Sequence, residues 1–183
     1  MQLEPATDAD VWLTEALETD PRVMVELGGP HTVEHARAAH RRRVAGIEAG
    51  NWWFKILPEP GAAPVGTIGI WPTEWAGEAI SETGWMVLPE LQGRGHASAA
   101  LAMLLDRARE DGRWGDIHAF PGITNGASNA LCRKLGFELI ETVEADYAGR
   151  ILHCNHWVLR ARRPRRTRRG AGPTTQNEIR PPR

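Results

Sequence analysis

The chain of 183 residues has two cysteines, Cys132 and Cys154, and one tyrosine, Tyr147. The cysteines do not form a C-x-x-C pair. Two thiols in a domain of this size read as reduced and partly buried, which excludes a disulfide scaffold. No run approaches the roughly 18 apolar residues that a membrane span requires. The opening "MQLEPATDAD" has no basic stretch followed by an apolar one, so it does not read as a secretory signal, and a cytoplasmic location is expected. No internal repeat is present.

Two phosphate-binding loops are also missing. The segment Val87 to Asp111, "VLPELQGRGHASAALAMLLDRARED", runs from a buried strand through Pro89 and two glycines into an amphipathic helix. It lacks the lysine and Ser/Thr ending of a P-loop, and a dinucleotide fingerprint would need glycine where Ser98 stands. The pattern nevertheless suits an anion held on a helix N-terminus, where unpaired N–H groups and the helix dipole favour negative charge.

Hydrophobic residues make up 42% of the chain and charged residues 25%, ordinary values for one globular domain with a full core. The charge is unevenly placed. Residues 1–159 hold 13 of the 22 Lys and Arg and 22 of the 23 Asp and Glu, whereas residues 160–183 hold nine basic residues and one acidic. The tail "RARRPRRTRRGAGPTTQNEIRPPR" has almost nothing apolar to bury, so it is expected to be disordered. Without interleaved aromatics or a basic folded face beside it, it reads as a solvated tail rather than a specific nucleic-acid arm.

Within the body, "MQLEPA" predicts a strand, and Thr7 with Asp10 opens a helix reaching about Thr19, stopped by Asp20-Pro21. A glycine-rich loop, "MVELGGP", precedes a second helix over about Thr32–Ala49, with Val33, Ala36, Val44 and Ile47 on one stripe. Strands follow in "NWWFKIL", "APVGTIGIW" and "AISETGWMVL", the first pair joined by "PEPGA" and the second by "PTEWAGE". After the helix Gly95–Asp111 come a strand "WGDIHAFP", a short helix "NGASNALCRKLG", and strands "FELIETVE" and "RILHCNHWVLRA". The order β-α-α-β-β-β-α-β-α-β-β predicts an α/β (α+β) domain with a mixed sheet.

The stretch Gln92-Gly93-Arg94-Gly95-His96-Ala97, of form Q-x-x-G-x-A after a strand ending Val-x-Pro, resembles the acyl-CoA motif of the GCN5-related N-acetyltransferases. "NGASNALCRKLGFE" is similar to that family's downstream motif, in which an asparagine opens a helix ending in a Lys-Leu-Gly-Phe turn. On a helical wheel Asn125, Ser128, Asn129 and Cys132 form a polar side, with Ala127, Leu131 and Leu135 beside it as core. The resemblance covers roughly residues 2–159. It implies a mostly antiparallel central sheet flanked by helices, an acetyltransferase domain over residues 1–159, and acetyl-CoA as cosubstrate.

Carried over position by position, the strand edge Met86, Val87 and Leu88 would pair with the pantetheine amides. Leu91, Gln92, Gly93, Arg94, Gly95, His96 and Ala97 would surround the pyrophosphate, and Asn125 with Ser128 would meet the pantetheine arm. The implied reaction is acetyl transfer to a primary amine of a small molecule or a protein N-terminus. A base must deprotonate that amine, and a backbone N–H of the strand ending at Leu88 is the expected oxyanion donor. The implied partners are an amine acceptor, with no membrane or nucleic acid, and a homodimer is allowed.

The chain departs from the family at the acid. Many members place a tyrosine five residues before the phenylalanine of the Gly-Phe turn, and here that place holds Cys132. A thiol could donate the proton, but a small core cysteine is the more usual role. Water or Ser128 is the alternative, and Tyr147 a weak substitute. The missing tyrosine also keeps open a second function, a CoA-binding regulatory or interaction module with little turnover. For the base, Glu82 is the first candidate, on the strand leading to the CoA turn, and His118 the second. No metal site is expected, because His153 and His156 in one strand point to opposite faces. Trp52, Trp53, Trp71, Trp75 and Trp85 fall on or between the central strands, where an aromatic wall would suit a cationic amine.

Overall fold

The computed structural model describes residues 1–147 and 149–161. Arg160 and Ala161 are tied to Asp116, through the guanidinium at 2.9 Å and the Ala161 N–H at 2.7 Å. The remainder of the predicted tail, 162–183, lies outside the described residues.

Apolar alternation sets the strands and 3.6-residue periodicity the helices. In chain order they are β1 (Gln2–Pro5), α1 (Val11–Glu18), α2 (Pro21–Met24), α3 (Val33–Glu48), β2 (Trp52–Leu57), β3 (Gly66–Trp75), β4 (Glu78–Val87), α4 (His96–Asp111), β5 (Ile117–Ala119), α5 (Gly126–Lys134), β6 (Glu138–Tyr147) and β7 (Arg150–Leu159). The strands form one sheet in the order β1-β2-β3-β4-β5-β7-β6. Among the described residues β4 and β5 are the parallel pair, matched only at Ser81 with Ile117 and Glu82 with His118. Past Glu82 the two strands separate, which opens the middle of the sheet.

One face of the sheet, with Ile56, Ile68, Ile70 and Val87, packs on Leu101, Leu104 and Leu105 of α4 to form the main core. The periodic apolar run of α4 is therefore the buried stripe that the sequence predicts. The opposite face meets α1 and α3, whose Leu13, Leu17, Ala36 and Ala39 are buried. Val33, expected on that stripe, is exposed instead, because the helix begins there and turns Ala36, Ala39 and His40 inward. His40 is held by Thr14 and by the Thr7 carbonyl, each at 2.9 Å.

Two connections differ from the sequence reading. "PTEWAGE" is not a loop: β3 runs on to Trp75 and turns through Ala76 and Gly77, both at positive φ, into β4. Such a two-residue turn matches the twist of the flanking strands. Pro72 is tolerated because β2 ends its pairing with β3 at Ile70, leaving β3 an edge on that side. "MVELGGP" is only partly loop. Asp20 caps α2 by accepting the Arg22 N–H at 2.7 Å, Pro21 fits its first turn, and Val25–Leu27 add a 3-10 turn. No helix of the described residues is long and apolar enough to cross a membrane.

Candidate active site

The segment between β4 and α4 is shaped for an anion. After Val87 the chain makes a 3-10 turn over Pro89–Leu91, then passes through Gly93 and Gly95 at φ of 72° and 82°. This left-handed backbone strains any residue with a Cβ, and nothing lies within 4 Å of where a Cβ would stand at either glycine. The first helical bond of α4 here runs from the Ala99 N–H to the Gly95 carbonyl at 3.0 Å. The amides of His96, Ala97 and Ser98 precede it, so they carry the unpaired donors of the helix start. Gln92 braces the turn by donating from Nε2 to the Val87 carbonyl at 3.0 Å. Arg94 is exposed and bonds back to the Glu90 carbonyl at 3.1 Å.

Lys134, which the sequence reading passed over, donates from Nζ to Ser98 Oγ at 2.9 Å. It brings an ammonium from the end of α5 to the first turn of α4. The signal was present in its "Lys-Leu-Gly" position, but only the docking of α5 reveals which way the side chain reaches.

The strand leading into the turn is half free. The Leu88 N–H is bonded to the Val65 carbonyl at 2.9 Å, so this amide is committed and cannot serve as the expected oxyanion donor. Backbone groups alternate sides along a strand. With Leu88 turned toward β3, the amides of Trp85 and Val87 turn toward the gap that β5 leaves.

A cleft of about 1120 Å³ starts at Gln92, Gly93, Gly95, His96 and Ala97, passes Met86 and Val87 beside Asn125 and Ser128, and continues to the opposite face of the sheet at Glu82. It brings together most of the residues that the sequence named for CoA, while Leu88 and Arg94 are not among its walls. Asn125 caps α5 by accepting the Ser128 N–H at 3.0 Å. Asn129 and Cys132 do not share that polar side. Asn129 is buried, donates to the Gly122 and Asn125 carbonyls, and accepts from Asn155 and Trp157, all at 2.8 Å. Cys132 lies wholly within the core and outside the cleft, and burial pushes its thiol up to about 12. Ala127, read as core, is exposed.

Glu82 enters the cleft from β4, in register with Trp71 of β3. Burial pushes its carboxyl up to about 7, with a hydrogen bond from Trp71 opposing the rise. Tyr147, at the end of β6, lines the same space; burial and the neighbouring Glu18 hold its proton on. Cys154 also lines the cleft, and burial and Glu82 raise its thiol. His118 does not line it. Its Nδ1 sits 2.8 Å from Nε2 of His156, and burial followed by the His156 charge lowers its pKa.

Long-range contacts that local sequence patterns do not carry tie α2 and the loop after it to the cleft's surroundings. Arg22 of α2 pairs with Glu90 of the turn between β4 and α4 at 2.7 Å, and Thr124 donates to Glu26 at 2.6 Å. Arg150 of β7 donates to the Gly28 and Gly29 carbonyls at 2.6 and 2.5 Å. Gly28 is required there twice over, since its φ is 82° and a Cβ would fall 2.7 Å from Arg150 Cδ.

His153 and His156 occupy opposite faces of β7 as expected, the first exposed and the second buried against Phe120. A grouping that the sequence reading did not assemble does converge: ligand atoms of Glu18, His31 and His35 lie within 4.8 Å of one another. The guanidinium of Arg43 already bonds the Glu18 carboxylate, and that positive charge works against a divalent cation beside it.

Residues 1–138 match the acetyltransferase (GNAT) domain. Three solved structures illustrate the likeness of fold. An acetyltransferase from Agrobacterium tumefaciens str. C58 aligns with a TM-score of 0.72 at 22% identity, over 86% of this chain and 88% of its own. A ribosomal-protein-alanine N-acetyltransferase from Brucella melitensis aligns at 0.68 and 24%, over 87% and 99%. RimL, a ribosomal L7/L12 α-N-protein acetyltransferase solved in complex with coenzyme A, aligns at 0.67 and 17%, over 87% and 93%. A sequence comparison with curated proteins finds no match.

Proposed function

The chain belongs to the GNAT acetyltransferases, which use acetyl-CoA, and on that premise we propose that it acetylates a primary amine of a small molecule or a protein N-terminus. The observation that carries this reading is Glu82, a carboxyl held near neutrality inside the cleft that begins at the CoA turn. A base works best when its pKa lies near the working pH.

The turn fits a diphosphate. Unpaired amides at His96, Ala97 and Ser98 point their dipoles at it, Lys134 adds charge, and the open Cβ positions of Gly93 and Gly95 let the anion come close. Acetyl-CoA supplies a thioester whose acyl carbon an amine can attack. Glu82 takes the proton of the incoming ammonium, directly or through one water, and so supplies the lone pair that forms the C–N bond as the C–S bond breaks. The amides of Trp85 and Val87 face the gap where the acyl oxygen gathers charge. Cys132 has no part in protonating the sulfur, being buried away from the cleft; the proton comes from water or Ser128. Asn125 steers the pantetheine arm.

The test is acetyl-CoA consumption against a panel of amines and peptides, with the amide product identified by mass spectrometry. An amine-dependent amide product supports the reading, and acetyl-CoA binding with no transfer to any amine contradicts it. Exposed Leu139 and Ile140 on the edge strand β6 support a homodimer, which light scattering of the intact chain would detect.

A further inference from the structure

The acceptor half of the cleft is walled by aromatic rings. Residues of one strand face alternate, and Trp71, Thr73 and Trp75 of β3 all line the space. Trp75 packs on Phe120 with centroids 4.7 Å apart, and Trp71 on Trp53 at 5.6 Å. The sheet is cleared for these indoles: a Cβ at Gly69 would stand 2.4 Å from Trp53, and one at Gly84 2.9 Å from Trp71. Two positions on this face therefore give up their side chains so that two rings can lie across the strands.

Several charged side chains line the cleft, and most of them have partners. Arg43 is bonded to Glu18 and lies 4.6 Å over the ring of Trp53. Glu26 accepts from Thr124 and Asp146 from the Gly149 N–H at 2.7 Å. Glu74 and Asp146 also line the cleft but are exposed, whereas Glu82 is the carboxyl set opposite Trp71 among the rings, where one amine can meet it. A second ammonium placed against the rings themselves would lose hydration there, away from the exposed carboxylates.

We infer that the acceptor is a small arylalkyl primary amine, with its ring against the Trp71–Trp75 wall and its single nitrogen at Glu82. The inference rests on the acetyl-transfer reading above and specifies its substrate. Each ring-on-ring contact multiplies affinity by roughly two- to tenfold beyond its apolar area.

The experiment compares kcat/KM of the full chain at saturating acetyl-CoA for phenethylamine, tryptamine, hexylamine, spermidine and a serine-initiated tetrapeptide. The arylalkylamines should exceed hexylamine on the order of tenfold and exceed spermidine and the peptide by more. Trp75→Leu should draw the aryl-to-alkyl ratio toward one; the wild-type panel decides the matter by itself if that variant does not fold. Hexylamine, spermidine or the peptide equal to the arylalkylamines would overturn the inference and leave acetyl transfer standing. Acetyl-CoA binding in calorimetry with no amine acetylated would remove the acetyl-transfer reading and this inference with it.

Discussion

Trp71 of β3 stands directly opposite Glu82 of β4, and both side chains line the cleft. The pairing sets a carboxyl among indoles rather than in water, and its proton affinity rises accordingly. Burial of this carboxyl opposes stability wherever it is ionised.

That opposition has a pH signature. Glu82 binds its proton more tightly in the folded state than in the unfolded chain, so folding stability is fully present below the ordinary carboxyl range. It is lost as pH rises from the ordinary glutamate value of 4.5 toward 7, and then levels off. The loss is on the order of 3 kcal/mol. Glu82→Gln carries no such charge. Its melting temperature should match wild type at about pH 4 and exceed it by roughly 5–10 °C at about pH 8, as thermal denaturation followed by circular dichroism would show.

In the turn between β4 and α4, Gly95→Asp puts a carboxylate at the proposed diphosphate site. The left-handed backbone costs it about 1–2 kcal/mol, but its Cβ meets nothing in the fold. The chain should stay folded while affinity for acetyl-CoA falls at least about a hundredfold in calorimetry. Gly95→Asn, which tolerates the same φ without the charge, should lose far less.

Cys132→Ala should lower stability by about 1–3 kcal/mol, since the residue is wholly buried in the core. Turnover per folded molecule should change by less than about tenfold, which separates packing from proton donation. Urea unfolding and initial rates on the same sample check both halves.

The contrast between Cys132 and the turn from β4 to α4 shows what local sequence carries. The turn is legible because left-handed glycines and the start of an amphipathic helix are local requirements, set within six residues of one another. The strands and the order of the helices follow from periodicity in the same way. The face that Asn129 and Cys132 take on α5 is not local: Asn155 and Trp157 of β7 supply the partners that turn Asn129 inward. Glu82 could be named from its place on the strand, but its proton affinity depends on Trp71 and the surrounding walls. The extension of β3 to Trp75 was hidden by Pro72, a residue that ordinarily ends a strand and is harmless where β2 has stopped.

Arg150 offers a test of the acceptor loop. Arg150→Met keeps the bulk of the side chain and removes its bonds to the Gly28 and Gly29 carbonyls. Hydrogen bonds from a charged donor contribute about 1.5–3 kcal/mol. KM for the amine should rise on the order of tenfold, with the dissociation constant for acetyl-CoA unchanged, in steady-state kinetics paired with calorimetry.

The most direct test of the central claim, that Glu82 deprotonates the acceptor amine, is the pH–rate profile of kcat/KM for wild type and Glu82→Gln, using an amine whose own pKa lies near 10. Wild type should show a limb rising through about pH 7, the range to which burial brings Glu82. In Glu82→Gln that limb should vanish, the rate at neutral pH should fall on the order of 10²-fold, and alkaline pH should restore part of it by supplying free amine. The same limb, at the same pH and near-normal rate, in the Glu82→Gln variant would contradict the assignment.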